Sequence, residues 1–251
     1  VGTLAALAVI GAVVAFVRGA YPPLRAAVME HFDPDAQWKL RTVNSAGRSG
    51  AFFLPDGYAS GPLPMMVVLH GDGMTPVSLV ARWRQRADMD HFIVIAPDSA
   101  SPSADVAGWQ VPELAGRSTE DLEHIGRCIE EVLAMKGVQA DPRVLVVGVG
   151  SAASMALYLA SIDPRYTAFA LMHGSASVDV LGDRRVHGWL SDKPGGEVTA
   201  HGSVRETRTD LQGLGFPAQY REFFADDGAG REEMASLATW WLSEPPPQGA
   251  P

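Results

Sequence analysis

The stretch Val144–Ala152 reads V-L-V-V-G-V-G-S-A, an apolar run, then small residues, then a helical pattern. A strand turning sharply into a helix through small residues is the setting in which G-x-S-x-G presents a nucleophilic serine. In that chemistry the hydroxyl attacks an acyl carbon, a histidine takes its proton, and an acid orients the imidazole. Here the middle position of the pattern is Gly150, which carries no side-chain oxygen. The next serine, Ser151, comes one place late. Sliding the frame by one puts Val149 and Ala153 at the flanking positions, where a strained turn needs small side chains. Gly148, Gly150 and Ala152 fit the unshifted frame. Ser151 therefore reads first as a residue of the first helical turn and second as a displaced nucleophile.

A proton acceptor is equally hard to place. The seven histidines are His31, His70, His91, His124, His173, His187 and His201, and none follows the last strand-like run, Gln219–Phe224. His173 and His201 are candidate substitute bases, with a structural role as the competing explanation for each. The segment after Phe224 reads Ala225-Asp226-Asp227-Gly228-Ala229-Gly230-Arg231. Arg231 stays protonated and cannot act as a general base near neutral pH. Metal binding is not indicated: His70 and Asp72 are close, but no H-x-x-x-H or Cys/His cluster accompanies them. The glycines of the turn lack the third glycine and the later acidic residue of a dinucleotide site, so no cofactor is expected.

The elements that must position these residues follow from hydropathy. Strand-like runs are Trp38–Val43, Gly50–Leu54, Met65–His70, Phe92–Ala96, Val144–Val149, Ala168–Met172, Arg185–Leu190 and Gln219–Phe224. Most are continuous Val, Ile, Leu and Phe, as in strands covered on both faces. Between them lie helical patterns at Pro76–Arg86, Thr119–Met135, Ser151–Ile162, Val198–Leu211 and Glu232–Leu242, with Ser118 the expected N-cap of the second. A hairpin followed by alternating strands and helices predicts an α/β fold. Its mostly parallel sheet has eight strands, with helices on both faces and ligands at the carboxyl ends of the strands. Cys128 adjoins the apolar face of the 119–135 helix and is expected to be a buried structural thiol.

Bulk properties exclude some partners. The chain has 251 residues and a formal net charge of −9, with no run of Lys or Arg, which argues against nucleic acid. Residues 1–17 carry no charge and are rich in Ala, Val, Leu and Ile. As a helix they would rise about 26 Å, close to the ~30 Å of a hydrocarbon core. Residues 1–21 are expected to be a membrane-anchor helix, with a signal peptide and a buried core helix as competing explanations. Residues 22–36 read as a connector, 37–243 as the α/β domain, and 244–251 as a disordered Pro-rich tail. Arg18 and Arg25 argue for a cytoplasmic domain.

The order V-V-L-H-G-D-G (67–73), I-A-P-D (95–98), G-W-Q (108–110), the small-residue turn and A-S-M-A-L-Y-L-A (153–160) resembles the α/β-hydrolase superfamily. The likeness is to its compact esterases, those grouped with polyhydroxybutyrate depolymerases, feruloyl esterases and dienelactone hydrolases, over roughly Trp38 to Leu242. The resemblance implies a triad at positions 150, 192 and 231, where this chain has Gly150, Asp192 and Arg231. It implies oxyanion donors at Gly71, Asp72 and Ser151, with His70 bracing their loop. Gly174–Arg184 is too short to be a lid domain. The resemblance also favours an extracytoplasmic, periplasmic domain. The expectation is a membrane-anchored, inactive hydrolase-like subunit contacting other membrane-complex subunits or a small acidic or acyl ligand. The alternative is a carboxylic-ester hydrolase built on Ser151 and Asp192.

Overall fold

The computed structural model describes residues 40, 48–100, 108–196, 201–224 and 230–243. The expected anchor (1–21), connector (22–36) and tail (244–251) lie outside the described residues, as does all of the first expected strand except Leu40. Among the described residues no helix is long and apolar enough to cross a membrane.

The described residues form a seven-stranded sheet, which accounts for seven of the eight strands expected; the other, Trp38–Val43, lies outside the described residues except for Leu40. Its strands are β1 (Gly50–Phe53), β2 (Leu63–Leu69), β3 (Ile93–Pro97), β4 (Ala140–Val149), β5 (Ala168–Met172), β6 (His187–Asp192) and β7 (Ala218–Glu222). Their order is β1-β3-β2-β4-β5-β6-β7. β1 runs antiparallel to β3, and every other pair is parallel. Two strands differ from expectation in a way that matters. β4 begins at Ala140 because Leu63 pairs with Ala140 across a register shift, which recruits a polar stretch that hydropathy alone leaves out. β6 is displaced by two residues, so Asp192 is the last residue of the strand, paired with Glu222 of β7.

Among the described residues five α-helices cover the sheet: α1 (Pro76–Asp90), α2 (Glu120–Leu133), α3 (Ala153–Ile162), α4 (Val204–Gly213) and α5 (Arg231–Ser243). The N-cap of α2 is Thr119, whose side chain accepts from the Leu122 N–H, and not Ser118, whose hydroxyl donates to Glu123. α4 starts later than expected, where Ser203 and Glu206 form a reciprocal capping box that satisfies two backbone donors.

Alternation along the strands sends side chains to opposite faces. Met65, Val67, Leu69, Ile93, Ile95, Val146, Phe169, Leu171 and Leu190 join one core with Ile125, Ile129, Met155, Leu159 and Leu211 of α2, α3 and α4. On the other face Phe92 meets Trp83 of α1 and Trp241 of α5, and Trp189 meets Trp240. Burying each such aromatic ring contributes roughly 1.5–3 kcal/mol. The last turn of α5 is therefore fixed by aromatic packing, and its first turn meets the carboxyl end of β5 through Glu233 and His173.

No lid interrupts the sheet: the described chain between β5 and β6 contains neither helix nor strand. Cys128 is fully buried, and that burial pushes its thiol up to about 12.

Candidate active site

β4 ends in a single 3-10 turn, Gly150–Ala152, that leads directly into α3. Gly150 has φ +56, in the left-handed region that residues with a Cβ rarely adopt. A Cβ built there would meet nothing nearer than Gly71 Cα at 3.9 Å. The turn thus has room for a side chain and supplies none. Its neighbours are tight. A Cβ on Gly148 would lie 2.8 Å from Ala156 Cβ, and one on Gly174 would lie 2.0 Å from Gly150 O. Glycine is required at those two positions for close approach of α3 and of the chain leaving β5.

The loop after β2 presses on the same turn: a Cβ on Gly71 would fall 2.5 Å from Val149 O. His70 braces this loop. It is buried, its carbonyl accepts from Trp109 Nε1 at 2.8 Å, and its Nε2 lies 3.2 Å from Asp98 Oδ1. Gly71, Asp72 and Ser151 are brought together as the sequence suggests. Their chemistry differs from that of an oxyanion hole, because exposed Ser151 donates its Oγ hydrogen to Asp72 Oδ1 at 3.0 Å. A carboxylate beside the donors opposes accumulation of negative charge there.

Asp192 is buried at the end of β6 and accepts from the Lys193 N–H at 2.8 Å. Its carboxylate faces His173, with Oδ1 3.7 Å from Nδ1. His173 follows β5, which lies between β4 and β6 in the sheet. Its backbone has φ +54, strain of about 1–3 kcal/mol for a non-glycine residue. The other ring nitrogen, Nε2, lies 2.9 Å from Glu233 Oε2 in the first turn of α5. The hydrogen bond to Glu233 raises the His173 pKa, desolvation opposes the rise, and the charges of Glu233 and Asp192 add to it.

Glu233 is the residue that motif reasoning missed. It is fully buried, and its Oε1 has no hydrogen-bond partner. The signal was present: Glu233, Leu237 and Trp241 recur at helical spacing, and all three are buried. A carboxylate on an apolar stripe is informative.

The remaining candidates are elsewhere. Arg231 opens α5 but is exposed, in a groove of about 880 Å³ with Arg82, Arg86, Met89 and Met234. The structure shows no ion pair joining it to Asp192. His201 is exposed in the turn before α4. Among the described residues, no group of three or more His, Cys, Asp or Glu could hold a metal ion.

Sheet order, the sharp β4–α3 turn and the two-sided helical cover define an α/β-hydrolase fold, structurally close to carboxylesterases. No protein-family model and no curated protein sequence matches the chain. Solved structures do. The Bacillus cereus carboxylesterase is similar with a TM-score of 0.55 at 13% identity, over 79% of this chain and 95% of that one. An S-formylglutathione hydrolase from Agrobacterium tumefaciens matches with a TM-score of 0.52 at 14% identity, covering 82% and 91%. The acylaminoacyl peptidase of Pyrococcus horikoshii matches with a TM-score of 0.52 at 14% identity, covering 81% of this chain and 39% of that one. At such identities the likeness establishes the fold alone.

Proposed function

We propose that this chain is a catalytically silent protein on the α/β-hydrolase fold. Residues 1–21 anchor it in a membrane, and its domain serves as a binding or structural subunit of a membrane-associated complex. The observation that carries this is Gly150, held at φ +56 in an otherwise open turn. The backbone has the form that presents a nucleophile, and the oxygen is missing. Two neighbours support the reading. Asp72 sets a negative charge beside the would-be oxyanion donors. His173, whose imidazole faces Asp192, has its Nε2 held by Glu233.

The test is hydrolysis of short p-nitrophenyl esters by the purified full chain in mild detergent. The expected rate equals that of a heat-denatured control. Turnover that disappears in Ser151→Ala would refute the proposal. Partners are sought in the same preparation by what co-purifies with it. A retained small acidic or acyl ligand would appear as a thermal shift with short carboxylates.

A second reading rests on Ser151. Its hydroxyl is exposed, lies next to the loop after β2, and donates to a carboxylate. A carboxylic-ester hydrolase working through Ser151 and Asp192 would label with a fluorophosphonate at Ser151. Absence of labelling in a folded sample rules it out.

A further inference from the structure

Asp192, His173 and Glu233 come from the ends of β6 and β5 and the first turn of α5, three elements with no local sequence link. Glu233 is fully buried, and only one of its two oxygens is bonded, Oε2 to His173 Nε2 at 2.9 Å. His173 Nδ1 points at Asp192 Oδ1, 3.7 Å away. The backbone of His173 is tied to β6, its main-chain N–H donating to the Ser191 carbonyl at 2.9 Å. The next residue, Gly174, lies with its backbone against Gly150. The cluster is thus the joint between α5 and the vacant turn.

We propose that this carboxylate–imidazolium–carboxylate cluster is a protonation-dependent lock, holding the first turn of α5 against the ends of β5 and β6 beside the vacated nucleophile position.

As imidazolium, His173 turns an N–H towards each acid. As neutral imidazole it has one N–H, so a ring lone pair faces either Asp192 or Glu233. In either tautomer the neutral ring no longer offsets the charge of the buried Glu233 carboxylate, and water becomes the better solvent for it. The first turn of α5 then opens to hydrate Glu233. The sign follows from the raised pKa of His173. The stabilisation is complete below about 6.5, the usual value in an unfolded chain, and is lost as pH rises through the folded-state value. Among the described residues, the titratable groups that act on the ring are Glu233 from α5 and Asp192 from β6. Asp226 and Asp227, which precede α5, lie outside the described residues. The lock goes beyond the proposed function and does not depend on it, since it holds whether or not Ser151 reacts.

Hydrogen exchange on the full chain in mild detergent, from pH 6 to 9.5, tests it. Rates are corrected for intrinsic exchange and referred to buried helix α3, residues 156–160. The amides of Met234 to Ala238 should lose protection relative to α3 by up to about tenfold per pH unit above the His173 midpoint. His173→Gln and Glu233→Gln should each abolish that pH dependence. A pH-independent ratio in the natural chain overturns the proposal, as does an unchanged pH dependence in a folded variant. Should His173→Gln fail to fold, the natural chain and Glu233→Gln decide the matter.

Discussion

The turn after β4 and the corner formed by β5, β6 and α5 are held together in opposite ways. The turn keeps its shape without its chemistry. Gly148, Gly71 and Gly174 make backbone approaches that no Cβ could share, while Gly150 faces open space. The corner has titratable side chains in place, and they are directed at each other: His173 at Glu233 and Asp192. Packing constrains the first region, because α3 and two loops all lean on it. Electrostatics constrains the second, because a buried carboxylate must have a partner. Packing alone therefore accounts for the shape of the turn.

Substitutions can break this contrast. Gly174→Ala is expected to be the most damaging, because its Cβ would fall 2.0 Å from Gly150 O. Overpacking against backbone costs about 3 kcal/mol or more, measurable as a lower urea midpoint or loss of soluble protein. Glu233→Ala leaves His173 beside Asp192 alone and removes one partner of a buried pair, a loss of about 3 kcal/mol. That loss should shrink as pH rises through the His173 midpoint, because neutral His173 needs Glu233 less; unfolding at pH 6.5 and 9 checks it. Gly150→Ser should cost only about 1–2 kcal/mol, the strain of a left-handed residue with a Cβ, since the space is open. It should also remain inert towards p-nitrophenyl esters while Glu233 holds His173 Nε2. Ser151→Ala is expected to be the mildest, within about 0.5 kcal/mol for an exposed side chain, as a thermal melt would show.

The frame was legible because hydropathy and small-residue spacing are local. Val144–Val149 followed by Gly-Ser-Ala gave the turn, and the run to Leu190 placed Asp192 within reach of it. The corner was not legible because its logic is long-range. His173 looks solitary along the chain, since the acid that holds its Nε2 is sixty positions away. Glu233 hides among acidic residues that suit any helix N-terminus; only its place on the stripe of Leu237 and Trp241 marks it as buried. The two-residue displacement of β6 has the same origin. Ser191 and Asp192 are polar, and their pairing with Arg221 and Glu222 of β7 keeps them in the strand. Arg231 takes the histidine position only through the resemblance; its side chain lines the groove with Arg82 and Arg86 of α1.

The most direct measurement is fluorophosphonate labelling of the folded full chain in mild detergent, with mass-spectrometric mapping of any adduct. A chain silenced at Gly150 should show no adduct above a heat-denatured control, and Ser151→Ala should look the same. An adduct on Ser151 that forms only in the folded protein and vanishes in Ser151→Ala would contradict catalytic silence.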